Sequence, residues 1–479
     1  MVTGFVLWGH LFWCCVALNP VGLSKANPRY LEWGGKPRLL VTSSEHFGAL
    51  INLDFDYRKY LQTLSKYNFT LTQTWTGAYV EPDADVGPDN TLDPRQPQGA
   101  YGSYIAPWAR TRVPGNAKGG GKFDLKKFNS TFFSRMKDFV QTAGNLGIVV
   151  ELGLFGGYEQ THETIFETCP FYSQNNVNNI SGLNRTNVYT LNAPPEMLEI
   201  QLATVKEIAL SLKDLDNHYF QIISVASPDH AWGKRVAETI KQVDPQRLIS
   251  APAEWPRLAE VGVTNYGALA SPTDVANAIR TKRGGVLAYD ESGGLPGGLV
   301  SYRRSYWSWA MAGGGIVDNL DWSYMYGGFE NGTLPARRCH ESGNSGAPAR
   351  QTLAALVAFL EDLDLAHMTP DLDGKYVSSG AGPVLGLYVP VAATTHIHRQ
   401  DVGQRVRYAG FVAAAEVKAV NLSLSGPCAG HACRVSWINT TTGAAIDSGM
   451  GQAGMLLRGC MGRVDAPPYT DDVAFRVYC

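Results

Sequence analysis

Two adjacent carboxylates, Asp290 and Glu291, end a strand-like apolar run at residues 285–289. A glycine-rich segment follows, then an aromatic-rich helical pattern and a second strand-like run at 315–322. Because (β/α)8 barrels keep their reactive groups at the carboxyl ends of strands, this order predicts that Glu291 lies in a functional site. The alternative is a surface glutamate in a turn, and Asp290 is expected to orient the loop.

Strand-like and helix-like segments alternate from about residue 38 to 365, which is typical of a parallel α/β fold. Amphipathic helical patterns with apolar residues three and four apart separate the strands. The pattern predicts a (β/α)8 (TIM) barrel over residues 27–370. Its eight candidate strands are 38–43, 70–75, 148–154, 219–225, 247–250, 262–265, 286–289 and 316–320.

The pattern changes after residue 371 to short alternating runs separated by turns, with no helical periodicity. This predicts a small all-β sandwich domain over residues 371–479. The candidate strands are 384–391, 405–412, 419–424, 433–438 and 473–478.

Composition describes a globular chain, since 44% of its 479 residues are hydrophobic and 18% are charged. A formal net charge of −2 offers no electrostatic argument for binding nucleic acid or an anionic membrane. The sequence implies no metal ion and no organic cofactor.

The amino terminus predicts export. A short apolar run at 5–18 precedes a small-x-small motif at 24–26, which indicates a secretory signal peptide over residues 1–26. A membrane anchor is the alternative, but the run is short for a bilayer span. Seven Asn-x-Ser/Thr sequons favour an extracellular, glycosylated protein. They lie at Asn68, Asn129, Asn179, Asn184, Asn331, Asn421 and Asn439.

Six cysteines remain after the predicted leader, and an even number in an exported chain indicates disulfides. Fifteen connectivities are possible, and a zinc site is the alternative, disfavoured because the chain has no Cys-x2-Cys pair. The preferred pairs are Cys428–Cys433, Cys460–Cys479 and Cys169–Cys339.

Several stretches resemble the cellulase-like glycoside hydrolases of clan A, in a subgroup with a C-terminal β-sandwich. The resemblance rests on the order and number of matching segments rather than on one motif. They are 27–37, 42–49, 53–60, 122–125, 290–292, 312–315 and 319–323 in the barrel, with 408–411, 435–439 and 442–443 in the sandwich.

The resemblance implies a retaining mechanism, with two carboxylates about 5–5.5 Å apart. Glu291 matches the nucleophile on strand seven. The Asn-Glu pair that carries the acid/base on strand four falls on Ser224 and Val225, and valine cannot carry a proton. Two further positions depart, since Gln73 stands where the family tends to have arginine and Tyr266 where histidine is expected.

Other polar and aromatic residues are expected at the barrel mouth. Asp229 follows strand four and is the candidate replacement acid, although loop geometry could instead turn it to solvent. Glu254, after strand five, has similar standing. The candidate substrate-binding residues, some of them aromatic rings suited to stacking on sugars, are Glu45, His46, Trp75, Tyr266, Trp232 and Trp322.

Three functions are compatible with these residues. The first is a secreted glycoside hydrolase acting on a polysaccharide or glycan, and the second is an inactive carbohydrate-binding pseudoenzyme. The third is an extracellular-matrix component in which the barrel serves only as a scaffold.

Overall fold

A computed structural model gives the fold of most of the chain. It describes residues 19–45, 48–78, 104–117, 119–224, 229–256, 258–267, 272–281, 284–291, 297–321, 323–324, 345–379, 384–388, 406–413, 418–424, 428, 432–446, 456–458 and 460–479.

A small antiparallel sheet lies at the amino-terminal end of the barrel. Its strands are β1 (Gly22–Leu23), β2 (Leu31–Trp33) and β3 (Lys36–Arg38). Val21 is buried against residues of the barrel floor, and its N–H donates to the carbonyl of Asp216 at 2.8 Å. The strand β1 therefore falls within the segment predicted as a leader, and a cut before Asn27 would remove it.

Eight parallel strands form the barrel, and all eight sequence predictions are confirmed. A hairpin, β6 (Trp108–Pro114) and β7 (Gly121–Phe128), lies between the second and third of them. The barrel strands are β4 (Leu40–Ser44), β5 (Leu71–Trp75), β8 (Val149–Phe155), β9 (His218–Ile223), β10 (Ile249–Pro252), β11 (Val263–Tyr266), β12 (Val286–Tyr289) and β13 (Ile316–Leu320).

The barrel strands follow one another around the sheet in chain order, with β13 returning to pair with β4. Between β4 and β5 the Thr70 N–H donates to the Val41 carbonyl at 3.1 Å, which nearly closes the ring. The carboxyl ends of all eight strands therefore meet at one mouth, as the sequence pattern predicts.

Helices pack around this sheet, and none of the described ones is long and apolar enough to cross a membrane. Side-chain caps fix several of their starts, as where Asp56 accepts the Lys59 N–H at 3.1 Å. The described helices are α1 (Tyr57–Lys66), α2 (Ser130–Asn145), α3 (Tyr158–Thr161), α4 (Glu163–Thr168), α5 (Pro195–Leu212), α6 (His230–Val243), α7 (Pro272–Arg280), α8 (Gly298–Met311) and α9 (Gly346–Glu361).

The C-terminal region is an antiparallel β-sandwich, which confirms the predicted fold class. The strands are β14 (Thr369–Pro370), β15 (Val377–Ser379), β16 (Val384–Tyr388), β17 (Val406–Val412), β18 (Ala419–Ser423), β19 (Ala432–Ile438), β20 (Ala445–Ile446), β21 (Leu456–Arg458), β22 (Met461–Asp465) and β23 (Val473–Tyr478). One sheet has the order β14-β16-β17-β23-β19-β20 with β21 paired to β19, and the other has the order β15-β18-β22.

The sandwich packs directly on helix α8 of the barrel. Trp307 stacks on Phe411 with ring centroids 5.7 Å apart. Beside this stack, Arg303 donates to both carboxylate oxygens of Asp472 at 2.8 and 3.0 Å, and Thr440 donates to the same carboxylate. The Asp472 side chain is fully buried. Barrel and sandwich therefore share one interface with an apolar stack and a buried ion pair.

The predicted disulfide pairs in the sandwich are wrong. The structure joins Cys428 to Cys479 and Cys433 to Cys460. Sheet order explains the difference, because β19 lies between β21 and β23 and so brings Cys433 and its neighbours beside residues distant in sequence. Cys169 is buried and forms no disulfide within the described residues, and its predicted partner Cys339 lies outside them.

Candidate active site at the barrel mouth

A layer of polar side chains crosses the inside of the barrel above an apolar floor. Glu151, on β8, accepts hydrogen bonds from Tyr219 at 2.8 Å, Ser250 at 2.7 Å and Asn265 at 3.0 Å. These donors lie on the fourth, fifth and sixth strands. A bond from the third strand to the sixth must cross the interior. The floor beneath contains Leu40, Leu71, Val149, Val263, Val286 and Ile316.

A second chain of hydrogen bonds joins the seventh, fourth and second strands. The Gln221 amide donates to Asp290 Oδ2 at 2.7 Å, and Gln73 donates to the Gln221 carbonyl oxygen at 3.0 Å. Because the carboxylate fixes which end of Gln221 is the donor, it also fixes the orientation of Gln73. Gln73, which stands where the resemblance led us to expect an arginine, is thus part of a chain of hydrogen-bonded side-chain amides that ends at Asp290. We call this chain the amide relay.

The buried carboxyl groups of this layer hold their protons more tightly than usual. Burial raises the pKa of Asp290 well above its ordinary value, and the negative charges of Glu151 and Asp318 add to the effect. Burial also raises the pKa of Glu151, against the opposing effect of its three hydrogen-bond donors. Both carboxyl groups therefore ionise less readily than carboxyl groups in water do.

Glu291 directly follows Asp290 at the carboxyl end of β12 and is half-buried. Its charge also contributes to the raised pKa of Asp290, so the two carboxyl groups lie close enough to interact. Asp290 is 4% exposed and belongs to the interior layer, whereas Glu291 is the more accessible of the two. The nucleophile assignment for Glu291 stays a prediction.

Asp229 caps helix α6 in this structure. Its Oδ1 accepts the Ala231 N–H at 2.9 Å, and its Oδ2 accepts the Leu191 N–H at 3.1 Å. Both oxygens therefore accept backbone hydrogen bonds. The proposed proton-donor role stays a prediction, and it would require at least one of these bonds to be exchanged for the substrate.

Two of the tryptophans predicted to stack on sugars lie in the core. Trp75 is 1% exposed and packs against Ile165 and Leu320. Trp232 is fully buried, with Phe155 at 5.2 Å between ring centroids and its indole N–H donating to Gln201 at 2.9 Å. Their binding roles stay predictions, and a sugar would reach either ring only after neighbouring side chains move.

The remaining predicted binding residues are spread around the mouth. Glu45 is buried after β4, and its carboxylate accepts the backbone N–H groups of Gly48 and Ala49. Tyr266 ends β11, half-buried, with its ring 5.5 Å from that of Trp309. His46 and Trp322 lie outside the described residues.

Glu159, which the sequence places after strand three, is a further acidic group at the mouth. It is fully buried in helix α3, where its Oε2 accepts the Gly157 N–H at 2.8 Å. Burial raises the pKa of Glu159 to about 7, and the hydroxyl of Tyr189 beside it has a smaller, opposing effect. A pKa near neutrality is the property that a general acid requires.

The buried hydrogen-bonded cluster around Asp321, after the eighth strand, was not predicted from the sequence. Asp321 accepts hydrogen bonds from Ser43 at 2.9 Å and from Arg350 at 2.7 Å, and all three side chains are buried. The contact ties the first strand, the eighth strand and helix α9 together. An aspartate directly after a strand at the mouth of the barrel could have indicated this cluster. Its arginine partner lies 29 residues further along the chain, so no local pattern connects the two.

The barrel, its polar mouth and the C-terminal sandwich together define a glycoside hydrolase-like fold. Among solved structures, one described as a glycoside hydrolase has a TM-score of 0.61 and 13% identity, covering 96% of each chain. A glycoside hydrolase of family 5 from Bacteroides vulgatus has a TM-score of 0.62 and 10% identity, covering 96% of this chain and 93% of that one.

These similarities extend over both regions of the chain, barrel and sandwich alike. They confirm the resemblance at the level of the fold, and identities of this size do not carry the chemistry of the site with them. No protein-family model matches the sequence, and no curated protein matches it either.

Proposed function

We propose that this chain is a secreted glycoside hydrolase that acts on O-glycosidic bonds of a polysaccharide or glycan, with Glu291 as nucleophile. One observation carries the proposal. Asp290 and Glu291 directly follow the seventh strand of a barrel whose fold, sandwich included, is similar to that of known glycoside hydrolases. In this mechanism a carboxylate attacks the anomeric carbon while a proton reaches the leaving oxygen, and water then hydrolyses the glycosyl-enzyme.

The proton must come from an unusual donor. Residues 218–229 span the fourth strand and the start of the next helix, and their only acidic residue is Asp229. Asp229 is therefore the proposed acid. To act as one, it must exchange at least one of its hydrogen bonds to backbone N–H groups for a contact with the substrate. Glu159 is the competing donor, because its pKa of about 7 leaves about half of it protonated at neutral pH. It would have to be uncovered to touch a substrate.

Hydrolysis of activated aryl glycosides tests the nucleophile. Such substrates need little help from an acid, so turnover depends chiefly on the attacking carboxylate. We expect Glu291→Gln to lower the rate by at least about 10³-fold. Glu199→Gln, at an exposed carboxylate on helix α5 with no proposed role in the reaction, is the matched control. Turnover that survives Glu291→Gln excludes this nucleophile.

A pair of variants separates the two candidate acids. Loss of the true donor should slow substrates with poor leaving groups by about 10²–10⁴-fold and spare activated ones. The comparison is Asp229→Asn against Glu159→Gln on both substrate types. If neither variant shows this selective loss, both assignments are wrong.

A carbohydrate-binding pseudoenzyme is the second candidate, and a specific observation favours it. The Asp290 carboxylate faces the neutral amide of Gln221 from the fourth strand, and Asp229 is engaged as a helix cap. A glycan array followed by long incubation distinguishes the two functions. Retention without new reducing ends supports the pseudoenzyme, and released reducing ends support the hydrolase. Failure to bind any glycan would leave the scaffold function.

Export is part of the same proposal. Besides the predicted leader, the sequon asparagines Asn68, Asn179, Asn184, Asn421 and Asn439 are exposed and so open to glycosylation. Expression in a eukaryotic secretory host should yield protein in the medium whose mass falls on enzymatic deglycosylation. Retention of the unmodified chain inside the cell would count against it.

A further inference from the structure

Four cysteines converge at one end of the sandwich. The sulfur atoms of Cys428, Cys460 and Cys479 all lie within 4.8 Å of one another, and Cys433 is bonded to Cys460. All four side chains are at least 96% buried. The sequence offered no sign of this cluster, because its members are spread over 52 positions and contain no Cys-x2-Cys pair.

Regular structure holds three of the four positions. Cys433 is the second residue of β19, and Cys479 directly follows β23, the strand that pairs with β19. Cys460 lies in the turn between β21 and β22, and β21 pairs with β19 at Cys433. Three ligand positions are thus fixed by one sheet, so their spacing does not depend on the disulfides alone.

We propose that the reduced sandwich binds one Zn²⁺ ion through Cys428, Cys433, Cys460 and Cys479. A tetrahedral site with Zn–S bonds of about 2.3 Å places its sulfur atoms roughly 3.8 Å apart. The sulfur atoms of Cys428, Cys460 and Cys479 lie within 4.8 Å of one another, and that of Cys433 is bonded to Cys460. After reduction, side-chain rotations can therefore bring the four sulfur atoms to this geometry. Four thiolates leave no open coordination position, so the ion would be structural rather than catalytic.

A phosphine supplies two electrons to each disulfide and is itself oxidised to the phosphine oxide, taking the oxygen atom of one water molecule. The two protons of that water complete the two thiols. Zn²⁺ then replaces thiol protons, up to four of which are released to solvent as thiolates form. An oxidant removing four electrons would restore the two disulfides and release the ion. The redox state of the surroundings therefore determines whether the cluster contains disulfides or metal.

The proposal is tested on the full chain, reduced with a phosphine and freed of metal. Co²⁺ serves as the optical probe, and Zn²⁺ as the competitor. We expect one Co²⁺ per chain with the absorption of a tetrahedral four-thiolate site, displaced by one equivalent of Zn²⁺. Zn²⁺ should also raise the thermal midpoint of the reduced protein, since a ligand of the folded state stabilises it.

Variants identify the ligands. Cys428→Ser and Cys479→Ser should each weaken Zn²⁺ binding by at least about tenfold, and Cys169→Ser, at a buried cysteine in the barrel, should leave it unchanged. A reduced chain that takes up no Co²⁺ overturns the proposal, whether or not it stays folded. A four-thiolate spectrum that persists when Cys428→Ser and Cys479→Ser are combined also overturns it, as does metal uptake without a rise in the thermal midpoint.

Discussion

The side-chain amide of Gln221, on the fourth barrel strand, donates to the Asp290 carboxylate on the seventh, 2.7 Å away across the barrel interior. Retaining enzymes of this architecture use a pair of carboxylates at the strand-end level. Here a neutral amide from the fourth strand binds the carboxyl group from the seventh, one layer below the mouth. The contact fixes Asp290 inside the barrel and leaves Glu291 as the accessible acid of the pair.

Removing this amide should destabilise the fold. In Gln221→Ala, Asp290 loses the only donor given to it by the described residues, and Gln73 loses its acceptor. A buried polar group left without a partner costs about 1–3 kcal/mol, so we expect a loss of at least this size in urea unfolding. Gln246→Ala, at an exposed position, is the control. Equal stability of the two variants would show that the relay contributes little.

The sequence predicted the positions of the strands much better than the contacts between them. Each barrel strand is a short run rich in apolar residues between helical patterns, and this local pattern is sufficient to locate all eight. Which side chains meet across the interior depends on the stagger of the closed sheet, which no local pattern encodes. The Glu151 and Gln221 networks were therefore not foreseen.

Aromatic and cysteine residues show the same limit. Residue type indicated that Trp75 and Trp232 suit sugar stacking, but burial depends on the loops that pack over them, and both are in the core. The two preferred disulfides in the sandwich each joined consecutive cysteines. The antiparallel neighbours of β19 come from far along the chain, and both of these pairs are wrong.

Glu159 should make the stability of the protein fall as the pH rises. Its pKa is about 7 in the folded protein against an ordinary 4.5, so between these values the folded state holds a proton that the unfolded state has lost. The stability contribution is fully present below about pH 4.5 and is lost as the pH rises through 7. The loss amounts to roughly 3 kcal/mol.

Comparison with Glu159→Gln isolates this effect. The free energy of unfolding of the wild type, minus that of the variant, should fall by roughly 3 kcal/mol between pH 4.5 and 8. Glu167→Gln, at an exposed position on the neighbouring helix α4, controls for loss of a surface charge. If this difference in the free energy of unfolding stays constant with pH, the pKa of Glu159 is the same in the folded and unfolded states.

Removing one partner of the buried ion pair between the barrel and the sandwich should strongly destabilise the fold. Asp472→Ala leaves Arg303 buried without its main partner, at a cost of about 3–5 kcal/mol. Asp471→Ala removes a carboxylate that is 41% exposed and 3.2 Å from the same arginine, and should cost at most about 1 kcal/mol. Urea unfolding compares them, and similar losses would contradict the distinction.

The amino-terminal strand predicts where the mature chain begins. Val21 is 1% exposed against the barrel floor, and β1 pairs with β2 through Gly22 and Leu23. A chain starting at Asn27 loses these contacts, so it should be less stable than one starting at Asn19 by roughly 1.5–3 kcal/mol, the value of burying one valine. Urea unfolding measures the difference. For the proposed export, we therefore expect a cut before Val21, which sequencing of the amino terminus of the secreted product would show. A mature terminus at Asn27 with undiminished stability would mean that β1 is dispensable.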